Sequence, residues 1–303
     1  MKILLIGGFG YIGTTLVETL LESSVGSTLT VLDPLLFEVD REYFHKTLSG
    51  HKVRLVKGDV SDMRVTLPLL KQHDVVVYMA SLTMYNTARH PEEGMLTNQY
   101  MAEIVGDCCA KLDRRMVFMS TCSNYGRSEK PVDEEGDLVP VSIYAITKVN
   151  AERYLLRHVP GVTILRCATA YGVGSGRTRW DVLLNDFTRS GLSNGAIEIF
   201  QPESCRPICH VRDISRSIST VIANPTVNGK VYNVGSNEQN YTKKELADIV
   251  AKFTKAEVKV VESDDARDYR VDFTKICDEL GFKARHTPES EMPRLIRQWK
   301  QEQ

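Results

Sequence analysis

Tyr144 and Lys148 stand four residues apart in Ser142-Ile143-Tyr144-Ala145-Ile146-Thr147-Lys148, a spacing that puts both on one face of a helix. A phenol that titrates near ~10 is too weak an acid to exchange protons at neutral pH. An ammonium held beside it favours phenolate, lowers that value and makes the tyrosine a general base or acid. Chance supplies roughly 0.7 such pairs in a chain of this composition, so the pair gains meaning only from its place in the fold. A second group lies upstream in Phe118-Met119-Ser120-Thr121-Cys122-Ser123-Asn124-Tyr125-Gly126. There the Thr121 hydroxyl could share a hydrogen bond with the oxygen whose proton Tyr144 handles.

The place comes from the N-terminus. The apolar run Lys2-Ile3-Leu4-Leu5-Ile6 leads directly into Gly7-Gly8-Phe9-Gly10-Tyr11-Ile12-Gly13. In the order strand, glycine turn, helix, Gly7 permits the tight turn, Gly10 lets backbone approach a pyrophosphate, and Gly13 allows close helix–strand packing. The helix dipole and its unpaired N–H groups favour the anion. An acid closing the second strand should then accept hydrogen bonds from an adenosine ribose, and Asp33 ends Thr30-Val31-Leu32. The same carboxylate repels a 2′-phosphate, and Pro34-Leu35-Leu36 follow in place of a basic residue, so NAD is expected over NADP. Lys57-Gly58-Asp59-Val60 ends a third strand and offers an adenine contact.

The elements that position these residues alternate. Short apolar β-type runs fall at 3–6, 29–32, 53–56, 75–78, 116–119 and 163–166, with helical periods near 11–21, 62–72, 92–111 and 143–157. Strands apolar throughout, alternating with helices, predict an α/β fold built on a doubly wound parallel sheet covered on both faces. After residue 167 the rhythm changes to glycine-rich loops (Gly172, Gly174, Gly176), a helix near 181–190 and a charged helical end. The expected division is a dinucleotide-binding domain over 1–167 and a mainly substrate-binding α/β part over 168–303, some segments of which return to the first domain.

With 303 residues, 42% of them hydrophobic, the chain can bury a sizeable core. A formal charge of −1 gives no reason to expect nucleic acid or an anionic membrane as partner. No apolar run approaches the ~18 residues that cross a bilayer. The first apolar stretch stops at Gly7 without a cleavage site, unlike a secretory signal. Seven irregularly spaced cysteines suit a reducing compartment. A cytoplasmic protein is the expectation.

Together, the glycine turn, Asp33, Gly58-Asp59-Val60, the segment around Thr121, Tyr144 with Lys148, and Leu165-Arg166-Cys167-Ala168-Thr169-Ala170-Tyr171-Gly172 resemble the extended short-chain dehydrogenase/reductase family. Within it the chain is similar to the branch acting on nucleotide-activated sugars, typified by UDP-galactose 4-epimerase. Arg206-Pro207-Ile208-Cys209-His210-Val211-Arg212-Asp213 resembles that branch's C-terminal motif. Leu183-Leu184-Asn185-Asp186-Phe187-Thr188 and Arg267-Asp268-Tyr269 resemble a subgroup that includes a GDP-heptose 4-dehydrogenase. The resemblance implies a Rossmann-type domain holding NAD, and Thr121, Tyr144 and Lys148 as the catalytic set. It places cofactor contacts at Gly7, Gly10, Tyr11, Ile12, Gly13, Asp33, Asp59, Val60, Ala80 and Ser81, with Tyr144 and Lys148. Asn98 matches a position that supports the catalytic lysine. Asn185, Arg206 and Arg267 would hold a nucleotide diphosphate, with Thr121 and Tyr144 on the sugar; guanidinium forks suit that task. The resemblance also implies a homodimer through residues 92–111 and 143–157.

One departure narrows the reaction. The family's 4,6-dehydratases follow the catalytic threonine with Asp-Glu, and its decarboxylases keep a glutamate two residues after it, whereas this chain has Cys122-Ser123. The expectation is hydride and proton transfer alone: Tyr144 deprotonates a sugar hydroxyl at C4 as hydride passes to NAD. A 4-epimerase would rotate the ketose and return the hydride to its other face. Two alternatives stay open, a net 4-dehydrogenase or 4-ketoreductase on a GDP- or dTDP-sugar, and a non-catalytic NAD-binding regulator.

Other residues read as structural. Cys205, Cys209 and His210 are too few for a closed tetrahedral site, so no metal is expected. Cys122 reads as a small buried thiol, and Cys108-Cys109 as helix packing. His45 and His51 read as solvated; Phe37, Tyr43 and Phe44 as cover for the adenine side or the core. Trp180 reads equally as a flank for the sugar or as helix packing.

Overall fold

The computed structural model describes residues 1–23, 25–26, 28–36, 43, 53–263 and 267–303, and Phe37, Phe44, His45 and His51 lie outside them. The N-terminal half runs β1 (Lys2–Ile6), α1 (Tyr11–Ser23), β2 (Thr28–Asp33), β3 (Val53–Lys57), α2 (Met63–Gln72), β4 (Val75–Tyr78), α3 (Met101–Lys111), β5 (Arg115–Thr121), β6 (Arg127–Val132), α4 (Ile143–His158) and β7 (Val162–Cys167). β8 (Thr169–Tyr171), α5 (Leu183–Asn194), β9 (Ala196–Ile199), β10 (Cys205–His210), α6 (Val211–Ala223) and β11 (Val231–Val234) follow. β12 (Asn240–Thr242), α7 (Lys243–Thr254), β13 (Glu257–Val260), β14 (Asp268–Val271), α8 (Thr274–Leu280) and α9 (Pro288–Gln301) complete the chain.

A seven-stranded sheet in the order β11-β7-β5-β4-β1-β2-β3 forms the centre, every pairing parallel. The uniform apolarity of its strands has a direct cause. Leu5, Val31 and Val77 enter one core with α1 and α6, while Leu4, Ile6, Leu32, Val76 and Tyr78 enter the other with α2, α3 and α4. Both faces are covered, so alternate residues are equally buried. In α6, Ile214, Ile218, Val221 and Ile222 form one fully buried stripe, each side chain worth ~1.5–3 kcal/mol in apolar burial. A separate core of Leu184, Phe187, Ile197, Ile208, Leu246 and Val250 holds α5 and α7 together.

Three details differ from the sequence reading. Residues 92–111 are not one α-helix, because a π-helical stretch, Met95–Tyr100, separates Pro91–Gly94 from α3. The wider turn carries the buried Asn98. The helix expected at 181–190 starts later, after Val182, and ends at Gly195 in the left-handed region. β11, not anticipated, extends the central sheet beside β7. Among the described residues no helix is long and apolar enough to cross a membrane.

Candidate active site

Parallel register brings the chemistry to one edge. Asp33 closes β2 opposite Lys57, and Thr121 closes β5 opposite Cys167, so both lie at the carboxyl ends of the strands, where open α/β sheets bind ligands. The glycine turn joins β1 to α1 at that same edge. Gly7 adopts a φ of 82°, and a Cβ there would stand 2.6 Å from backbone atoms of Ala80. Only glycine fits both constraints. A Cβ on Gly13 would lie 2.5 Å from the carbonyl oxygen of Gly8, so this glycine lets α1 close on the turn itself rather than on the strand. At Gly10 the nearest atom to such a Cβ is the Gly7 oxygen at 3.6 Å, leaving space over the turn. The first helical hydrogen bond of α1 runs from Thr14 N–H to the Gly10 carbonyl, so the N–H groups of Tyr11, Ile12 and Gly13 belong to the helix's open first turn. That cradle fits a pyrophosphate.

Asp33 is 8% exposed, and its carboxylate accepts Phe9 N–H at 2.9 Å and Leu35 N–H at 2.8 Å. Burial raises its pKa, against the pull of those two bonds and of the Arg177 charge. The side chain is thereby fixed at the end of β2. Asp59 accepts Ser61 N–H at 2.8 Å, while the Val60 side chain enters the core with Leu32, and its carbonyl accepts from Thr66. Only the backbone of Val60 is therefore left to face a coenzyme. Tyr11 differs from expectation in the same way: its hydroxyl donates to the Gly172 carbonyl at 2.6 Å, tying α1 to the loop after β8.

Ser142 caps α4 by accepting Ala145 N–H at 3.2 Å, which sets Tyr144 in the first turn and Lys148 one turn on. The Thr121 hydroxyl lies near enough to Tyr144 to favour its phenolate, and Thr121 Oγ1 accepts Ser123 N–H at 3.1 Å. The two hydroxyls expected to act together are therefore neighbours. The expected coupling of ammonium to phenol is not what the chain provides. Lys148, 1% exposed, donates to the Met119 carbonyl at 2.8 Å, and its Nζ lies 4.8 Å from the Phe118 ring centre. Burial lowers its pKa to about 7. Burial likewise pushes Tyr144 up to about 12, opposed by the Arg179 charge and by the Thr121 hydroxyl. The low dielectric that surrounds both groups disfavours their charged forms more than their spacing favours them.

Asn98 also takes a different role. Its Oδ1 accepts Leu82 N–H at 2.8 Å and the Ser81 hydroxyl at 3.1 Å, and its Nδ2 donates to the Leu82 carbonyl at 3.0 Å and to Thr147 Oγ1 at 3.3 Å. It ties the segment after β4 to α4 through the residue before Lys148. Asn185 is fully buried, with Oδ1 accepting Gly172 N–H and Nδ2 donating to the carbonyls of Gly172 and Arg179. Those bonds use both amide N–H groups, the ones a diphosphate would need, so Asn185 shapes the 172–179 loop and is not placed to hold a diphosphate itself. Arg206, 3% exposed, donates to the Cys205 carbonyl at 2.8 Å and lies 5.7 Å from the Tyr269 ring centre. The charges of Arg206 and Arg267 both act on Tyr269, whose hydroxyl lies 3.3 Å from Ser123 Oγ.

The sequence reading missed Tyr269, Ser123 and Arg179 as members of this cluster. Arg267-Asp268-Tyr269 pointed to the arginine and not to the phenol, and nothing local marks Arg179 as facing Tyr144. Trp180 packs edge-on against Trp299, ring centres 5.0 Å apart, which settles it as helix packing. Tyr43 is 8% exposed and donates to the Thr14 carbonyl, as cover for the core.

His210, Asp213 and His286 bring three ligand atoms within 4.8 Å of one another. The imidazoles are stacked, ring centres 4.1 Å apart and 17° from parallel, so their in-plane lone pairs do not converge on one point. His210 Nδ1 accepts Arg212 N–H, and Asp213 Oδ2 accepts Arg285 and His286 N–H. The trio is a capping and packing device.

The NAD dependent epimerase/dehydratase family model matches residues 3–235. The chain is 28% identical over 302 residues to a dTDP-glucose 4,6-dehydratase of Streptomyces niveus, spanning 94% of this chain and 88% of that one. It is 26% identical to an uncharacterized UDP-glucose epimerase of Bacillus subtilis (strain 168), over 79% of this chain and 78% of that one. Among solved structures, a UDP-glucuronic acid 4-epimerase from Bacillus cereus, complexed with UDP-glucuronic acid and NAD, superposes with a TM-score of 0.87 at 21% identity, covering 100% of both chains. A dTDP-glucose 4,6-dehydratase from Streptomyces venezuelae with NAD bound gives 0.88 at 24%, covering 100% of this chain and 97% of that one. At these identities the structural matches speak for the fold.

Proposed function

This chain belongs to the NAD-dependent epimerase/dehydratase family, and from that premise we propose that it transfers hydride at C4 of a nucleotide-activated sugar as a 4-epimerase. The observation that carries the reading is the meeting of Thr121, at the carboxyl end of β5, with Tyr144 in the first turn of α4 and Lys148 on the next turn of the same helix. NAD, which this family uses, supplies the hydride acceptor and donor. Gly7, Gly10 and Gly13 with the first turn of α1 would hold its pyrophosphate, and Asp33 its adenosine ribose. Ala80 and Ser81 would border its path.

The protein's own groups do the rest. Tyr144 takes the proton from the sugar hydroxyl, and Thr121 Oγ1 holds the same oxygen in line. Lys148, which ties α4 to the end of β5 through the Met119 carbonyl, would also hold the nicotinamide ribose. Arg206 and Arg267 converge on the substrate side around Tyr269, where their charges suit the diphosphate of a nucleotide sugar.

Among the relatives are 4,6-dehydratases, and the residues after Thr121 favour a different outcome. Cys122 is 1% exposed, its thiol donates to the Arg166 carbonyl at 3.1 Å, and burial holds its pKa well above the ordinary value. It cannot serve as an acid–base pair with Ser123, so no group in those positions removes a proton for elimination. The competing reading, a net 4-dehydrogenase or 4-ketoreductase, shares this geometry and differs in exchanging its cofactor every cycle. A homodimer is part of the proposal. Leu96, Tyr100, Ile104, Ile143 and Ile146 are each at least 40% exposed on the 92–111 and 143–157 stretches that would form the contact.

The test is a screen of UDP-, GDP-, CDP- and dTDP-sugars read by mass and by NMR at C4, with the nucleotide released on denaturation identified. Inversion at C4 without added cofactor, with stoichiometric NAD released, supports the epimerase. Turnover only with exogenous NAD or NADH selects the oxidoreductase. Loss of water from the sugar overturns both.

A further inference from the structure

We infer that Glu152 and Arg166 form a buried clamp that positions Thr121 against Tyr144, so that both are positioning residues for the proton transfer. The inference rests on the roles proposed above for Thr121 and Tyr144. Glu152 follows Tyr144 by two helical turns and Lys148 by one, on the same face of α4. Its side chain is 1% exposed and that of Arg166 5%. The Glu152 carboxylate accepts the Ser120 hydroxyl at 2.8 Å, Asn124 Nδ2 at 3.2 Å and Arg166 Nε at 2.9 Å, with a further bond from Arg166 Nη2. Ser120 immediately precedes Thr121, and Asn124 lies in the 3-10 turn that follows it.

Arg166 sits opposite Ser120 in the β5–β7 ladder. The remaining end of its guanidinium donates to the Tyr125 hydroxyl at 2.9 Å and the Glu134 carbonyl at 2.8 Å, and Tyr125 continues to Asn233 Oδ1 at 2.7 Å. The pair therefore grips the 120–125 segment from both ends and joins it to the helix that carries the phenol. Neither charge reaches solvent or the substrate side. A buried ion pair contributes little net stability compared with apolar residues of the same size, because each charge loses its hydration. What apolar replacements cannot reproduce is direction. A planar fork and a carboxylate, each with its hydrogen bonds filled, fix orientation to a fraction of an ångström. Proton transfer needs that: an ångström of misplacement between donor and acceptor costs about 100-fold in rate.

The experiment uses the full chain saturated with NAD and labelled with carbon-13 at the tyrosine ζ carbon. That resonance reports hydrogen bonding at the phenol oxygen. Tyr144 is assigned by its loss in Tyr144→Phe, and Thr121→Val supplies its position when the threonine bond is missing. The Glu152→Leu/Arg166→Met double variant leaves no charge unpaired. It is expected to melt as the wild type does and to move the Tyr144 resonance most of the way to the Thr121→Val position. Ser120→Ala, which cuts one tie and leaves the ion pair in place, is expected to move it in the same direction by less. On the nucleotide sugar that the wild type converts, kcat of the double variant falls about 100-fold with KM within about twofold. A Tyr144 resonance left at its wild-type position in these folded variants overturns the clamp. Wild-type turnover by Tyr144→Phe would instead overturn the proton role and leave the resonance comparison readable, so the two failures are distinct.

Discussion

Lys148 donates to the Met119 carbonyl at 2.8 Å, and so ties α4 to the end of β5 rather than turning to Tyr144 on the preceding turn. Burial holds this lysine at about 7, against an ordinary value of 10.5. In the unfolded chain it titrates near the latter value, so below pH 7 the folded state carries a buried charge that the unfolded state hydrates freely. That penalty fades as pH rises from about 7 to about 10.5, where both states become neutral. Wild-type stability relative to Lys148→Met is therefore expected to rise across this window, by a few kcal/mol at most. Urea unfolding of both proteins at pH 7, 8.5 and 10 measures the difference, and a gap that stays flat would show that the lysine is better hydrated than its burial implies.

Tyr144→Phe keeps the ring and removes the proton acceptor. Turnover is expected to fall by about 10²–10⁴-fold, the usual contribution of a positioned acid–base group, with NAD affinity within about threefold of wild type. Because burial holds the phenol up to about 12, opposed by Arg179 and Thr121, wild-type turnover should rise with pH as the phenolate fraction grows. Thr121→Val removes one of the two opposing influences and should move that rising limb to higher pH. A limb that moves to lower pH, or a Tyr144→Phe enzyme that retains its rate, would assign the proton to another group.

The glycine turn separates two kinds of constraint. Gly7→Ala places a methyl 2.6 Å from Ala80 backbone on a residue with φ of 82°, and should lower the melting temperature as well as abolish NAD binding. Gly10→Ala meets nothing closer than 3.6 Å and should melt as the wild type does. Its methyl projects where the pyrophosphate would approach, so NAD affinity should drop about tenfold or more, equivalent to ~1.4 kcal/mol. Calorimetric melting and NAD titration of the two variants check the contrast. Equal NAD affinity in Gly10→Ala would move the phosphate site away from this turn.

Positions defined by a few consecutive residues were legible beforehand, and contacts assembled across the chain were not. Gly7, Asp33 and Thr121 follow from local order because a strand end, a turn and a helix start are each defined within a few residues. The nearness of Thr121 and Tyr144 was legible too, since both positions follow from strand and helix ends. Tyr11, by contrast, bonds Gly172, and no local pattern shows that the side chain would leave the coenzyme for a loop 161 residues on. β11 escaped notice because Val231-Tyr232-Asn233-Val234 is a short run containing an asparagine, and its partner β7 lies far back in the sequence. Asn233 tolerates its central place because Tyr125 and the carbonyl of Asp272 satisfy its amide. The pKa direction of Tyr144 was misread for a related reason. Spacing reveals which charges are neighbours, whereas desolvation depends on everything packed around them.

The exposed apolar side chains on the helical face give the last test. Tyr100 and Ile104 are 45% and 43% exposed, and Ile143 and Ile146 are 40% and 43%. Beside them, Gln99 bonds Asn150 at 3.1 Å and Tyr154 bonds Asp107, which holds the two helices as one rigid surface. A contiguous apolar face of this kind is costly to leave in water and is best covered by a second copy in a two-fold arrangement. Ile104→Glu/Ile146→Glu would oppose like charges across such a contact while leaving the buried sides of both helices untouched. Light scattering is expected to show a dimer for the wild type and a monomer for the double variant, with the melting temperature of the variant falling with the lost interface. A wild-type monomer, or a double variant that remains dimeric, would place the subunit contact elsewhere.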